Sequence, residues 1–424
     1  MSSRASVEIW HIILKFSISV PIFFDTDPLE TYGVEVIPRY YYDDEYWESE
    51  RSRNSLRRVC RAWNEFLKHY DHRFVRLADV LHEHVPPASL SKAIRVELPD
   101  VICSCGEFHE ETHGDFTRGL VNIWEAALSE ANAGSGTKAT QWRLEILDGS
   151  IDFISEKIET LWMCTPNLKV MISQGVGVSR WSTANFPSLK AFLSNPTDSS
   201  HIQGFLRGID LSSLTTLHIH SNHLDGLQDS NLHTLKHLSI DSDGTQVEVW
   251  SQESLHPLLQ RIGSNLHTFY YRCEPVAVDI DPQLWQFLSS VRNVQLPYKW
   301  GSRLPWGHPL RSIQITIDDL WEADSVRPRN LHGMCEQAKD YLPPPSFGCC
   351  IIRMDTTWYC ELLSGSSESG QLALWIDEYY QRSSIPFVDA HGDGLYDYIV
   401  FLTSISRKSN QRSYKLRRDM LLGF

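Results

Sequence analysis

The residues best suited to chemistry in this chain are Cys103, Cys105, His109 and His113, spaced as C-x-C-x3-H-x3-H. Thiolates and imidazoles are zinc ligands, and two His at i, i+4 would share one face of a helix. The C-x-C gap is shorter than the usual two to four spacers, and Glu107, Glu110 and Glu111 crowd the same segment. A polar loop carrying reduced thiols fits these features better, so no metal is expected. A second candidate, DAHGDGLYD from Asp389 to Asp397, offers carboxylates and a His for acid–base work. Its two Gly and its place after a strand-like run make it a turn. The chain has no phosphate-cradling Gly loop, no nucleophile elbow and no H-E-x-x-H pair. The expectation is therefore a protein that is not an enzyme and needs no cofactor.

Binding is the alternative to chemistry, and the elements that would position a binding surface are legible from about residue 141. One phrase recurs there: a Leu or Val, two spacers, an apolar residue, a spacer, then often another apolar residue. It appears as LKVMIS, LKAFLS, LTTLHI, LKHLSI, LHTFYY, VRNVQL and LRSIQI, starting at residues 168, 189, 214, 235, 266, 291 and 310. The starts are 19 to 31 residues apart, averaging about 24, which is a leucine-rich-repeat period. LTTLHIHSN, ending at Asn222, completes the L-x-x-L-x-L-x-x-N pattern. Helix-compatible stretches such as ESLHPLLQRIGS and PQLWQFLSS lie between phrases. Strand, turn and helix at a fixed period suit a solenoid, since no single unit can bury its own apolar face. A doubly wound sheet would also alternate strands and helices, but would not repeat one phrase. In such strands the polar positions flank the inward ones. His218, His220, His237, Asp241, Tyr270 and Arg272 are thus the expected partner-binding residues.

The N-terminal region follows a different pattern. Val7, Trp10, Ile13 and Leu14 fall at helical spacing, with Ile9 and Ile18 beside them. Leu56, Val59, Cys60, Trp63 and Leu67 trace a second stripe, with Asn54 and Ser55 placed to cap it. Two short helices cannot bury both stripes on each other, so surplus apolar surface must meet the body or a partner. VEIWHIIL and SLRRVCRAWNEFL, and VCRAW above all, resemble the two halves of an F-box, over about the first 80 residues. The stretch SVPIFFDTDPLETYG and the run into YWESER resemble a fungal F-box subfamily with an insertion inside the motif, here at about 17–52. The usual Leu-Pro is replaced by Ala5-Ser6, which removes one apolar contact.

That resemblance implies a substrate receptor of an SCF-type ubiquitin ligase. Val7, Ile9, Trp10, Ile13, Leu14, Leu56, Val59, Cys60 and Trp63 would dock on the Skp adaptor and, through it, on a cullin. An unidentified protein substrate would meet the repeats. The alternative is a non-catalytic repeat scaffold with a vestigial F-box. The expected fold is α/β: a small helical F-box module at 1–80, a connecting segment with a linker at 81–140, and an irregular leucine-rich-repeat-like horseshoe solenoid at 141–424 with divergent last units.

Composition narrows the partners. A net charge of −14 over 424 residues argues against nucleic acid, which is recognised through clustered Lys and Arg. The apolar run from Ile9 to Phe24 is interrupted by His11, Lys15, Ser17 and Ser19, too short and too polar for a bilayer. Nine scattered Cys without a secretory pattern point to a reducing compartment, cytoplasmic or nuclear.

Overall fold

The computed structural model describes residues 7–32, 43–98, 142–149, 167–173, 188–194, 211–242, 255–273, 283–295 and 307–315. It also describes 278–279, 298–299, 351–354, 384–389 and the isolated positions 40, 122, 305, 376, 380, 381 and 394. The chain divides into two compact units, Met1–Thr234 and Leu235–Phe424. The C-x-C-x3-H-x3-H segment, the small-residue linker and most of DAHGDGLYD lie outside the described residues.

In the first unit, six strands pair in parallel and in chain order: β1 (Phe74–Arg76), β2 (Arg95–Glu97), β3 (Ile146–Gly149), β4 (Val170–Ser173), β5 (Ala191–Ser194) and β6 (Thr216–His220). The register aligns one residue of each into a continuous apolar row: Val75, Val96, Leu147, Met171, Phe192 and Leu217. All six are buried. The sheet thus begins at residue 74, three strands before the first repeated phrase at Leu168.

The second unit repeats the plan with β7 (His237–Ser242), β8 (Thr268–Cys273), β10 (Asn293–Gln295), β12 (Ser312–Ile315), β13 (Ile351–Met354) and β14 (Phe387–Val388). A separate parallel pair joins β9 (Val278–Asp279) to β11 (Tyr298–Lys299). The apolar row here is Leu238, Phe269, Val294, Ile313, Ile352 and Phe387. Two expected helical stretches fold as helices, at His256–Ile262 and Leu284–Phe287.

The seven phrases therefore all become parallel strands, and the reason is visible in burial. Each opening residue, from Leu168 to Leu310, is buried, as is the apolar residue three positions on. A backbone step recurs with them. The carbonyl just before one strand accepts two consecutive amides entering the next: Lys169 O from Lys190 and Ala191 N at 2.7 and 3.0 Å, and Lys236 O from His267 and Thr268 N at 2.7 and 3.1 Å. The same pair of bonds occurs at Arg73, Ile94, Glu145, Lys190, His267 and Arg292. Repetition of one burial pattern and one hydrogen-bond step makes the body leucine-rich-repeat-like in each unit.

The N-terminal module packs within the first unit. Helix α1 (Val7–Ser17) is followed by a 3-10 turn at Ile22–Phe24, α2 (Pro28–Tyr32), α3 (Asp44–Arg57) and α4 (Arg61–Leu67). Two differences from the sequence reading follow. The stripe from Leu56 to Leu67 is not one helix, because the chain breaks at Arg58–Cys60 and Cys60 is extended (φ −160°, ψ 165°). Asn54 and Ser55 are consequently interior to α3 and cap nothing. The insertion is also more than a connecting loop. Val20, Phe23 and Tyr46 form a buried cluster with Phe74 of β1, flanked by Phe24 and Trp47. These aromatic side chains cover the first strand of the sheet.

Gly149 closes β3 at φ +126°, and a Cβ there would lie 2.6 Å from Leu98 Cβ and 2.7 Å from Leu98 O. Both the conformation and the space exclude a side chain. Gly149→Ala is expected to cost about 2–3 kcal/mol of unfolding free energy, measurable by chemical denaturation of the full chain.

Candidate functional site

Helix α1 is where the apolar surplus emerges. Its core side is narrow: Leu14 joins Ile18 and Leu67 in a buried cluster, with Leu56, Trp63, Phe66 and Tyr70 packed around it. His11 stacks on Phe66 with ring centroids 4.0 Å apart. Trp10 leans on Trp63 at 5.3 Å yet stays 40% exposed. On the opposite side, Ile9 (49%), Ile12 (61%), Ile13 (44%) and Phe16 (81%) lie in water. Their spacing is i, i+3, i+4, i+7, so they form one stripe along the helix. From Trp10 through Ile13, Ile9 and Phe16 to Ile12, the exposed apolar arc covers roughly 160° of the helix circumference at 100° per residue. Glu8 and Lys15, both exposed, bound it on the far side. Val59 in the turn before α4 adds another exposed apolar side chain (61%).

Contiguous exposed apolar surface of this kind is unusual on a folded chain and makes this face the candidate contact surface. An amphipathic helix with anchors at i, i+3, i+4 and i+7 fits a groove. The arrangement can bind, but it brings together no nucleophile with a base.

The expected docking residues divide accordingly. Val7, Ile9, Trp10, Ile13, Val59 and Cys60 are exposed. Leu56 and Trp63 are half-buried in the module's own core, and Leu14, at 1% exposure, is wholly internal. Leu14 differs from the expectation of an outward-facing residue: it packs on Ile18 and Leu67 and holds α1 in place. Ile12 and Phe16 were missed, because a stripe read from Val7 and Leu14 sets the centre of the face on the wrong side of the helix. The α1 spacing Ile9, Ile12, Ile13, Phe16 was the signal available.

No family model matches the chain, and no curated protein matches it either. Among solved structures, the leucine-rich repeat-containing protein LegL7 from Legionella pneumophila aligns over 82% of this chain and 98% of its own. The TM-score is 0.34 and the identity 14%. The repeat reading rests on the strands and ladders above.

The second expected surface does not lie open. In the first unit His218 and His220 are 3% and 4% exposed. In the second, His237 and Tyr270 are 4% and 2% exposed, and Asp241 is half-buried. Arg272 lies in β8, and its side chain is outside the described residues. The sequence reading assumed that one face of the sheet is solvated. All five residues of β6 are buried, as in a parallel sheet covered on both faces. His218, His220, His237 and Tyr270 therefore present almost no accessible surface in this conformation.

Elsewhere, no group of three or more His, Cys, Asp or Glu among the described residues could hold a metal ion. No described helix is long and apolar enough to cross a membrane. Burial lowers the pKa of His72 and of His308, the latter partly offset by its 3.0 Å contact with Leu288 O.

The division of α1 predicts opposite outcomes for adjacent residues. Leu14→Ala should cost about 2–5 kcal/mol by opening a cavity among Ile18, Leu67 and Trp63. Ile13→Ala should stay within about 0.5–1 kcal/mol of wild type. Urea denaturation of the two variants checks both, and equal losses would contradict the assigned orientation of the helix.

Proposed function

We propose that the chain is a substrate-receptor adaptor of an SCF-type ubiquitin ligase. In this reading its N-terminal helices bind the Skp adaptor, and so a cullin, while its repeat body binds a protein target. The observation that carries it is the exposed apolar arc of α1, continued by Val59, in the segments that resemble an F-box. The role is binding without chemistry. No cofactor or metal is required, and neither nucleic acid nor a membrane is the partner. A reducing compartment, cytoplasmic or nuclear, suits the unpaired thiol of Cys60.

Docking would bury side chains that are now in water, each contributing about 1.5–3 kcal/mol before the cost of association. The absent Leu-Pro at Ala5-Ser6 removes one such contact, and Ile12 and Phe16 offer compensating area. The repeat-like body supports the second half of the reading, since stacked repeats present extended binding surfaces. The alternative, a repeat scaffold with a vestigial F-box, draws on the same Ala5-Ser6 substitution.

Co-purification of the full chain with the Skp adaptor tests the proposal. Wild type is expected to bind, and Ile9→Asp with Ile13→Asp is expected to lose at least about 100-fold in affinity. Both positions are exposed, so the double variant should keep the wild-type unfolding midpoint. A folded wild type that does not bind would overturn the ubiquitin-ligase reading in favour of the scaffold.

A further inference from the structure

One ionisable group lies between the insertion and the sheet and is used by neither the docking surface nor the repeat pattern. Glu97 closes β2, with its side chain 32% exposed, and its Oε1 is 3.5 Å from Arg76 Nε on β1. Arg76 is also held by Asp43, at the foot of α3, through an ion pair from Nη2 to Oδ2. The same Asp43 oxygen accepts the Trp47 indole N–H at 2.6 Å. Two carboxylates, one from the insertion and one from the sheet, therefore share a single guanidinium.

The surrounding charges do not relieve this competition. The register places Arg76, Glu97 and Asp148 side by side across β1, β2 and β3. Asp148 thus adds a third carboxylate next to Glu97, paired with Arg95 of β2. Arg95 is further committed to the carbonyls of Phe23 and Tyr40 at 3.2 and 3.0 Å. On the insertion side the Tyr40 hydroxyl donates to Asp25 O at 2.7 Å. Burial first, and then Asp148 and Asp43, raise the Glu97 carboxyl to about 7, against the opposing pull of Arg76 and Arg95.

We propose that Glu97 is a proton-operated clasp: a proton on Glu97 removes its pull on Arg76 and its repulsion of Asp43, and so fastens the foot of α3 to the first strands of the sheet. The step moves one proton from solvent to the Glu97 carboxylate and breaks no covalent bond. Above neutrality Glu97 is charged, draws on Arg76 through Nε and repels Asp43, loosening the foot of α3. Below it, Asp43 holds Arg76 alone.

The direction on stability follows from linkage. The folded group ionises near 7 and the unfolded one near its ordinary 4.5, so the folded chain carries the extra proton between those values. Stability should fall as pH rises through that window and level off above it. The decisive measurement is amide exchange of residues 43–47 in the full chain from pH 5 to 8, corrected for intrinsic exchange, alongside thermal midpoints. In wild type, protection of this segment should rise severalfold as pH drops from 8 to 6. Glu97→Gln should show the higher protection at every pH. A wild type without this slope, or a Glu97→Gln variant that keeps it, overturns the proposal. Should Glu97→Gln not fold, Asp43→Asn carries the test. With the competitor gone, Glu97 has Arg76 to itself and the thermal transition's pH midpoint should move toward acid. An unmoved midpoint also overturns the clasp.

Discussion

The buried guanidinium of Arg95 is the constraint on which the first unit depends. It is 1% exposed and forms an ion pair with Asp148 of the neighbouring strand. Two insertion carbonyls accept from it, and its Cζ lies 4.1 Å from the Phe23 ring centroid and 5.0 Å from that of Tyr40. A buried charge contributes little net stability when well paired, but is strongly destabilising when a partner is lost. Its effect is therefore to specify the structure: the insertion must return to β2, and β3 must sit in the register that presents Asp148. The Tyr40 hydroxyl is buried with it, and burial raises its pKa well above the usual phenol value.

A second polar network does for the helices what Arg95 does for the sheet. Arg53 of α3 pairs with Glu50 and Asp71, and Arg57 joins Asp71 at 3.1 Å and Asn64 of α4 at 2.8 Å. Arg73 bridges Glu50 and the carbonyl of Ile18, which also accepts from Ser49 at 2.8 Å. Because these groups satisfy one another, the apolar side chains of α1 are not needed to hold the module together, apart from Leu14. That leaves Ile9, Ile12, Ile13 and Phe16 available for a partner. Buried and solvent-exposed apolar side chains thereby occupy opposite sides of one eleven-residue helix.

The legibility of these features in the sequence differs by physical cause. The repeats were readable because each phrase has to bury its Leu and the apolar residue three positions later, whatever its neighbours do. The strands at 95–97 and 146–149 were not, since Arg95 and Asp148 interrupt the apolar pattern with charges that become acceptable only as a pair. Helix α3 was hidden for a related reason. Its buried face reads Tyr46, Ser49, Glu50, Arg53, at helical spacing but without the apolar residues a periodicity search requires.

By itself the sequence determined the type and order of the strands that carry the repeated phrase, the amphipathic character of α1 and an apolar surplus near the N-terminus. Each of these follows from local spacing, and local spacing survives any tertiary arrangement. The tertiary structure alone decided which side of α1 faces inward, that the polar positions of β6 are covered, and that Arg95 and Asp148 meet across 53 residues of chain. Those outcomes depend on what packs against each face. A side chain's type sets what its burial costs, but only its neighbours in space decide whether that cost is offset.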